Sequence, residues 1–230
     1  MSRDIFLFIS DLQTPFEHRY AFDFCRYLKR HYKIKNENCY CVGDETDQLF
    51  GGMWKKDING THTALSEIKE TKDKFKQWYE EFPELKIATS NHGLRWQRKA
   101  LESDIPSVLL RRYEEVLGSP PGWVWKKHWL IKAKYPMLME HGDSHGGQYP
   151  HVSSAISNGV STIIGHHHTI AGVEHIKTNG MSIWGMCTGS LIDFESYVFN
   201  YARDGKRKPQ LGCGVVFDSG RKPVWEPLKK

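Results

Sequence analysis

Short apolar runs that stop at a polar turn recur along the first half of the chain, and helical stretches separate them. Residues 4–10, DIFLFIS, form such a run and predict a buried strand closed by Asp11-Leu12-Gln13-Thr14-Pro15. A helix is predicted over about 19–33, then a second strand over 37–43 ending at Gly43-Asp44. A glycine-bearing loop through Gly51-Gly52 and Asn59-Gly60 leads to a further helix. There Leu65, Ile68, Phe75, Trp78 and Phe82 repeat at helical intervals until Pro83 stops it. A third strand over 85–90 stops at Asn91-His92-Gly93, and a helix rich in Arg and Lys follows. Another helix is predicted from Asp104, with Pro106 in its first turn, to Gly118.

Pro120-Pro121-Gly122 is a break, but no independent set of strands and helices follows it. One domain spanning 1–230 is therefore expected. Beyond it, 129–140 predicts one or two strands running into His141-Gly142-Asp143, and 160–165 predicts another that ends at Gly165-His166-His167-His168. The tail reads as β-rich: Ile170–Lys177, a turn at Asn179-Gly180, Met181–Cys187 and Cys213–Asp218. Strands alternating with helices first and hairpins later predict a mixed sheet, or two packed sheets, flanked by helices.

With 39% hydrophobic and 26% charged residues, the composition is that of an ordinary globular chain, without the long apolar run of a membrane span. No export signal is visible, which predicts a cytoplasmic protein with no membrane partner. Five cysteines, an odd count, predict reduced thiols; Cys39 and Cys41 read as small buried hydrophobes on one strand face. A net charge of +5 permits an anionic partner. From Trp123 to Lys134 aromatics and cations interleave, as on a surface that stacks bases and tracks phosphates. The plainer reading, an amphipathic strand with Trp inside and Lys outside, ranks ahead of it.

The chemistry lies in the strand stops. Asp11, Asp44, Asn91, His141 and the histidine run each follow an apolar stretch beside a small residue, so parallel strands can deliver them to one sheet edge as ligands for two cations. Taken singly, each has a bland reading as a cap, a turn former, a structural histidine or a solvated loop. In an extended backbone His166 and His168 point to one side and His167 to the other.

Together, Asp11-x-Gln13, Gly43-Asp44-x-x-Asp47, Ser90-Asn91-His92, His141-Gly142 and Gly165-His166-x-His168 resemble the ordered motif set of the calcineurin-like metallophosphoesterases, over nearly the whole chain. Thr188-Gly189-Ser190 is similar to the turn that follows the last motif. The resemblance implies an α/β fold, a four-layer αββα sandwich in which helices flank two mixed β-sheets. It implies one metal among Asp11, Asp44 and His168 and another among Asp44, Asn91, His141 and His166, with Asp44 as the bridge. The cofactors would be two divalent cations, Mn first, with Mg, Fe or Zn as alternatives.

His92 would steady the phosphate and protonate the leaving oxygen, Asp47 would orient His92, and Arg95 is the candidate contact to the phosphate oxygens. The reaction implied is hydrolysis of a phosphate ester by a hydroxide activated between the cations. The Trp–Lys stretch and the basic charge tilt the substrate toward nucleic acid or a nucleotide. The alternatives are a phosphomonoesterase acting on a protein or metabolite, or a non-catalytic scaffold.

Two positions depart from the family pattern. Gln13 stands where the family has His and Ser90 where it usually has Gly. As an amide, Gln13 would be the weaker ligand and would lean the site toward Mn or Mg over Zn.

Overall fold

A computed structural model of the protein describes residues 4–52, 62–196 and 207–229; Asn59-Gly60 of the expected glycine-bearing loop lies outside them. Its first strand, β1 (Phe6–Ile9), is buried on both faces. Pleating sends alternate side chains opposite ways. Leu7 and Ile9 join the helix-side core with Cys25, Leu28, Phe75 and Trp78, while Phe6 and Phe8 join Met139, Ile163, Trp184 and Met186 in a second core. Strand β2 (Cys39–Cys41) repeats the pattern: Cys39 and Cys41 face the helices and Tyr40 faces the second core. All five cysteines are buried and free of disulfides, as their sequence setting predicts.

Helix α1 (Ala21–His31) buries Ala21, Cys25 and Leu28. Helix α2 (Ala64–Glu81) starts with a reciprocal cap, in which the Thr63 hydroxyl accepts from the Ser66 N–H and the Ser66 hydroxyl accepts from the Thr63 N–H. Its inner face carries Phe75 and Trp78 as expected, but Leu65 is 76% exposed and Glu67 and Thr71 are buried in its stead.

Strand β3 (Leu85–Ala88) follows, then α3 (Arg95–Glu102). The helix expected from Asp104 is corrected to a 3-10 turn over Ser107–Leu109 and a short α4 (Tyr113–Leu117). Pro106 sits in extended backbone before that turn, and Val108 and Leu109 are exposed, so no apolar face holds the segment helical. Gly118 closes α4 at φ +68.

Strands β4 (Trp123–Lys126) and β5 (His128–Ile131) belong to different sheets. Next come β6 (Met137–Glu140), α5 (Pro150–Asn158), β7 (Ser161–Ile164), the hairpin β8 (Ala171–Thr178) and β9 (Met181–Thr188), then β10 (Gly212–Phe217) and β11 (Lys222–Pro227).

One sheet runs β11-β10-β1-β2-β3-β4, with β1 to β4 parallel and β10 antiparallel to β1. The other runs β5-β6-β7-β9-β8, with β6, β7 and β9 parallel and β5 and β8 antiparallel at its edges. Among the described residues, two mixed sheets with five helices are thus the architecture. The parallel strands β1, β2 and β3 end side by side, and that places Asp11, Asp44 and Asn91 together.

Candidate metal centre

Asp11, Asp44 and His141 are almost fully buried. Ligand atoms of Asp44, His141 and His166 lie within 4.8 Å of one another, as do those of Asp11, Asp44 and His168. Asp44 belongs to both groups. Asn91 adjoins the first, with Oδ1 2.8 Å from His141 Nε2, and Gln13 adjoins the second, with Nε2 3.3 Å from His168 Nε2 and 3.4 Å from Asp44 Oδ2.

Local backbone explains the convergence. Gln13, Asp44, Gln48 and His166 all adopt positive φ, between 48 and 65. Such conformations cost energy and persist only where their surroundings impose them. His166 corrects the expected extended histidine run: its left-handed turn, not strand alternation, brings both His166 and His168 to the cluster while His167 turns away to the His145 carbonyl at 2.9 Å. Two glycines are required by contact. A Cβ on Gly43 would stand 2.8 Å from His141 Nδ1, and one on Gly165 would stand 2.4 Å from Asp11 Oδ1.

Burial alone would raise the Asp44 carboxyl, yet His141 and then His92 beside it hold it well below the usual carboxylate range. Burial likewise opposes charge on His141, but Asp44, with Asp11 behind it, pushes that imidazole up to about 10. Its Nδ1 stands 3.0 Å from the Val42 carbonyl, which fixes the ring and turns Nε2 toward Asp44 Oδ1 at 3.4 Å. His166 is shifted the other way, first by burial and then by His141, and so offers a neutral imidazole lone pair.

Polar bookkeeping tests whether cations suit this site. Among the described residues, Asp11 Oδ1 and Gln13 Oε1 are buried without a hydrogen-bond partner, although Asp11 Oδ2 accepts from the His166 N–H at 2.8 Å. Buried oxygens are ordinarily paired, because leaving one bare costs about 1–3 kcal/mol. Two carboxylates, three imidazoles and two amides with bare oxygens among them are a donor set for hard or borderline divalent cations. A half-turn of the Gln13 amide would exchange its nitrogen for its oxygen among those donors. The residues fit the metals that the resemblance implies.

Beside the cluster, His92 Nε2 is 3.8 Å from Asp44 Oδ2 and its Nδ1 is 3.1 Å from Asp47 Oδ1. Asp47 therefore stands where an orienting carboxylate would. The Arg95 guanidinium donates to the Asp47 carbonyl at 2.7 Å and to His92 Nε2 at 2.5 Å.

Ser90, which the sequence marks only as a departure from the family pattern, has a part in the site, as do Gln48 and Glu67, which it does not single out. Ser90 Oγ accepts from the Asp44 N–H at 2.9 Å and the Gly93 N–H at 3.1 Å, so the hydroxyl at the usual glycine position ties two ligand loops together. Gln48 bonds both the Gly93 carbonyl and the Trp96 N–H. Glu67 accepts from the Leu49 N–H at 2.9 Å. Their one sequence signal is position, within or beside the motifs and, for Glu67, on the α2 face turned to them.

The Trp–Lys stretch points its tryptophans inward. Trp123, Trp125 and Trp129 give their indole N–H groups to Phe82 O, Glu45 Oε1 and Ile87 O, while Lys126, Lys127, Lys132 and Lys134 are exposed. No helix among the described residues is long and apolar enough to cross a membrane.

No family model matches the chain, and no curated protein matches it. Among solved structures, Vps29 from Chaetomium thermophilum is similar at 12% identity, over 92% of this chain and 83% of that chain, with a TM-score of 0.38. A likeness that loose carries no weight for fold or chemistry.

Proposed function

We propose that the protein is a metal-dependent phosphoesterase of the calcineurin-like kind, built as a four-layer αββα sandwich, acting on a phosphodiester of a nucleotide or nucleic acid. The observation that carries the reading is Asp44, a buried carboxylate common to two donor groups with bare oxygens beside it. Asp11, Gln13, Asp44 and His168 would hold one cation, and Asp44, Asn91, His141 and His166 the other, with Mn first and Mg, Fe or Zn as alternatives. Bound there, the cations would supply Lewis acidity and an activated water.

The chain's own groups do the rest. Asp47 Oδ1 stands 3.1 Å from His92 Nδ1, where its charge favours that edge of the ring and leaves Nε2 to exchange a proton with the leaving oxygen. Arg95 holds Nε2 in the resting site, and an arriving phosphate competes for the guanidinium, which frees that nitrogen. The exposed lysines around β4 and β5 support an anionic substrate; the inward tryptophans do not contribute to it.

The test compares hydrolysis of bis-p-nitrophenyl phosphate and p-nitrophenyl phosphate with Mn. The diester should turn over faster, and His92→Ala should lower the rate by about 100-fold or more with metal content unchanged. Metal-loaded protein that hydrolyses neither ester would overturn the reading. In that case the 2.5 Å contact of Arg95 with His92 Nε2 favours a second one, a binding protein whose acid is permanently capped.

A further inference from the structure

On the far side of the Ser90–Gly93 loop lies a cavity of about 300 Å³ between α3, α4 and β4. That volume is at the lower end of small-molecule sites. Its floor is Glu45, 1% exposed, which follows the bridging candidate Asp44 in the chain and turns away from the cluster. Glu45 Oε1 accepts the Trp125 indole N–H at 3.0 Å, whereas Oε2 is buried with no hydrogen-bond partner among the described residues. The Tyr113 hydroxyl lies 2.5 Å from Thr46 Oγ1, a pair in which either can donate, and it also faces Glu45. The Trp125 and Tyr113 rings meet edge to face, with centroids 5.5 Å apart at 78°, and Leu94 supplies an apolar wall. Thr89 and Gln97 add neutral hydrogen-bonding groups.

We propose that this cavity binds a guanine-type base. A carboxylate edge with a bare oxygen calls for adjacent N–H donors, and aromatic walls call for a planar π-system. Guanine presents two neighbouring donors, N1–H and the 2-amino group, in one plane. Adenine places an acceptor nitrogen beside its amino group, which would face the carboxylate lone pairs. Cytosine offers one amino group beside an acceptor nitrogen. An alkylammonium would satisfy Glu45 but has no use for Gln97 and Thr89, whereas the guanine carbonyl and ring nitrogens can engage both.

Base binding stands apart from the phosphoesterase reading. If both hold, the substrate or a regulator is a guanine nucleotide, sensed through the loop that carries Asn91 and His92.

The experiment titrates the full chain in chelator with guanosine, adenosine, cytidine and tetramethylammonium, following the Trp125 indole N–H resonance, which Trp125→Phe assigns by its loss. Guanosine should bind and shift that resonance, with the other nucleosides weaker by about tenfold or more. Glu45→Gln should weaken guanosine by a similar factor at an unchanged melting temperature. Any of four results would overturn the site: no guanosine binding, equal binding of adenosine, tighter binding of tetramethylammonium, or unaltered affinity in a folded Glu45→Gln protein. Should Glu45→Gln not fold, the ligand ranking on the native chain decides. Diester hydrolysis with Mn is assayed in parallel: hydrolysis without guanosine binding sinks the cavity alone, and binding without hydrolysis sinks the phosphoesterase alone.

Discussion

At the scale of single residues, the candidate centre is set by atoms that have nowhere else to go. Gln13 shows this: its Oε1 is buried and bare, and its Nε2 lies against Asp44 and His168. Imidazole is the stronger ligand for late divalent ions. Gln13→His should therefore tighten one of two manganese-binding events in calorimetric titration by about tenfold. Identical isotherms for the two proteins would show that the amide is not a ligand. Gly165 makes the complementary case, since a methyl there meets Asp11 Oδ1 at 2.4 Å and Val42 Cγ2 at 2.5 Å. Neither neighbour is a free chain end, so Gly165→Ala should cost about 1–3 kcal/mol in urea denaturation and weaken metal binding at the Asp11 side. A variant as stable as the parent, with unchanged titration, would show that the contact relaxes freely.

At the scale of elements, α2 carries a buried acid on its core-facing side. Glu67 is 1% exposed, and its carboxyl is pushed up to about 7, by burial first and then by Asp47, against the opposing N–H bonds from Leu49 and Phe50. The sign follows from linkage. An acid whose folded pKa lies above its unfolded value of 4.5 binds its proton more tightly in the native state, so its contribution is fully present below 4.5 and lost as pH rises through 7. The shift corresponds to a loss on the order of 3 kcal/mol. Glu67→Gln keeps the carbonyl that accepts from Leu49 and removes the proton. Its stability relative to the parent should rise across that window and level off above it. A difference between the two proteins that stays flat from pH 4.5 to 8 would refute the assignment.

The same scale shows where sequence reading succeeds and where it stops. The strand stops at Asp11, Asp44, Asn91, His141 and Gly165 were legible because each strand is a short, largely apolar run cut off by a polar turn. Leu65 matched the helical interval but lies in the first turn of α2, beyond the reach of the core, whereas Glu67 is enclosed by the loop after Asp44 and Thr71 by the loop after Asp11. Strand β11 escaped notice because Pro223 and Pro227 argue against a strand; at the edge of its sheet the missing N–H groups cost nothing. Helix α5 was framed by Pro150 and Gly159, but its buried face of Pro150, His151, Ser154 and Ala155 is too polar to show a period. For the histidine run, backbone alternation predicted the right pair for the wrong reason, since the positive φ of His166 is a tertiary demand that local pattern does not encode.

At the scale of the whole molecule, the two sheets and the loops between them converge on negative charge that the protein compensates only in part. Asp11 and Asp44 are buried together, and both raise the pKa of the His141 imidazole beside them; a cation held there would take the place of that proton. Cations arriving at the two donor groups would bind the native chain and not the scattered ligands of the unfolded one. They should stabilise by about 2.7 kcal/mol per site at a free concentration 100 times the dissociation constant. The two groups share Asp44 alone, so the architecture makes an unequal prediction for variants. Asp44→Asn should abolish the rise in melting temperature on manganese addition, while His168→Ala should remove only the part belonging to Asp11 and Asp44 and leave the group with His141 and His166 to respond. Melting curves in chelator and in graded manganese check this without recourse to turnover. If Asp44→Asn and His168→Ala responded to manganese to the same extent, the two donor groups would not be linked through one carboxylate, and strands β1 and β2 would be delivering ligands to separate sites.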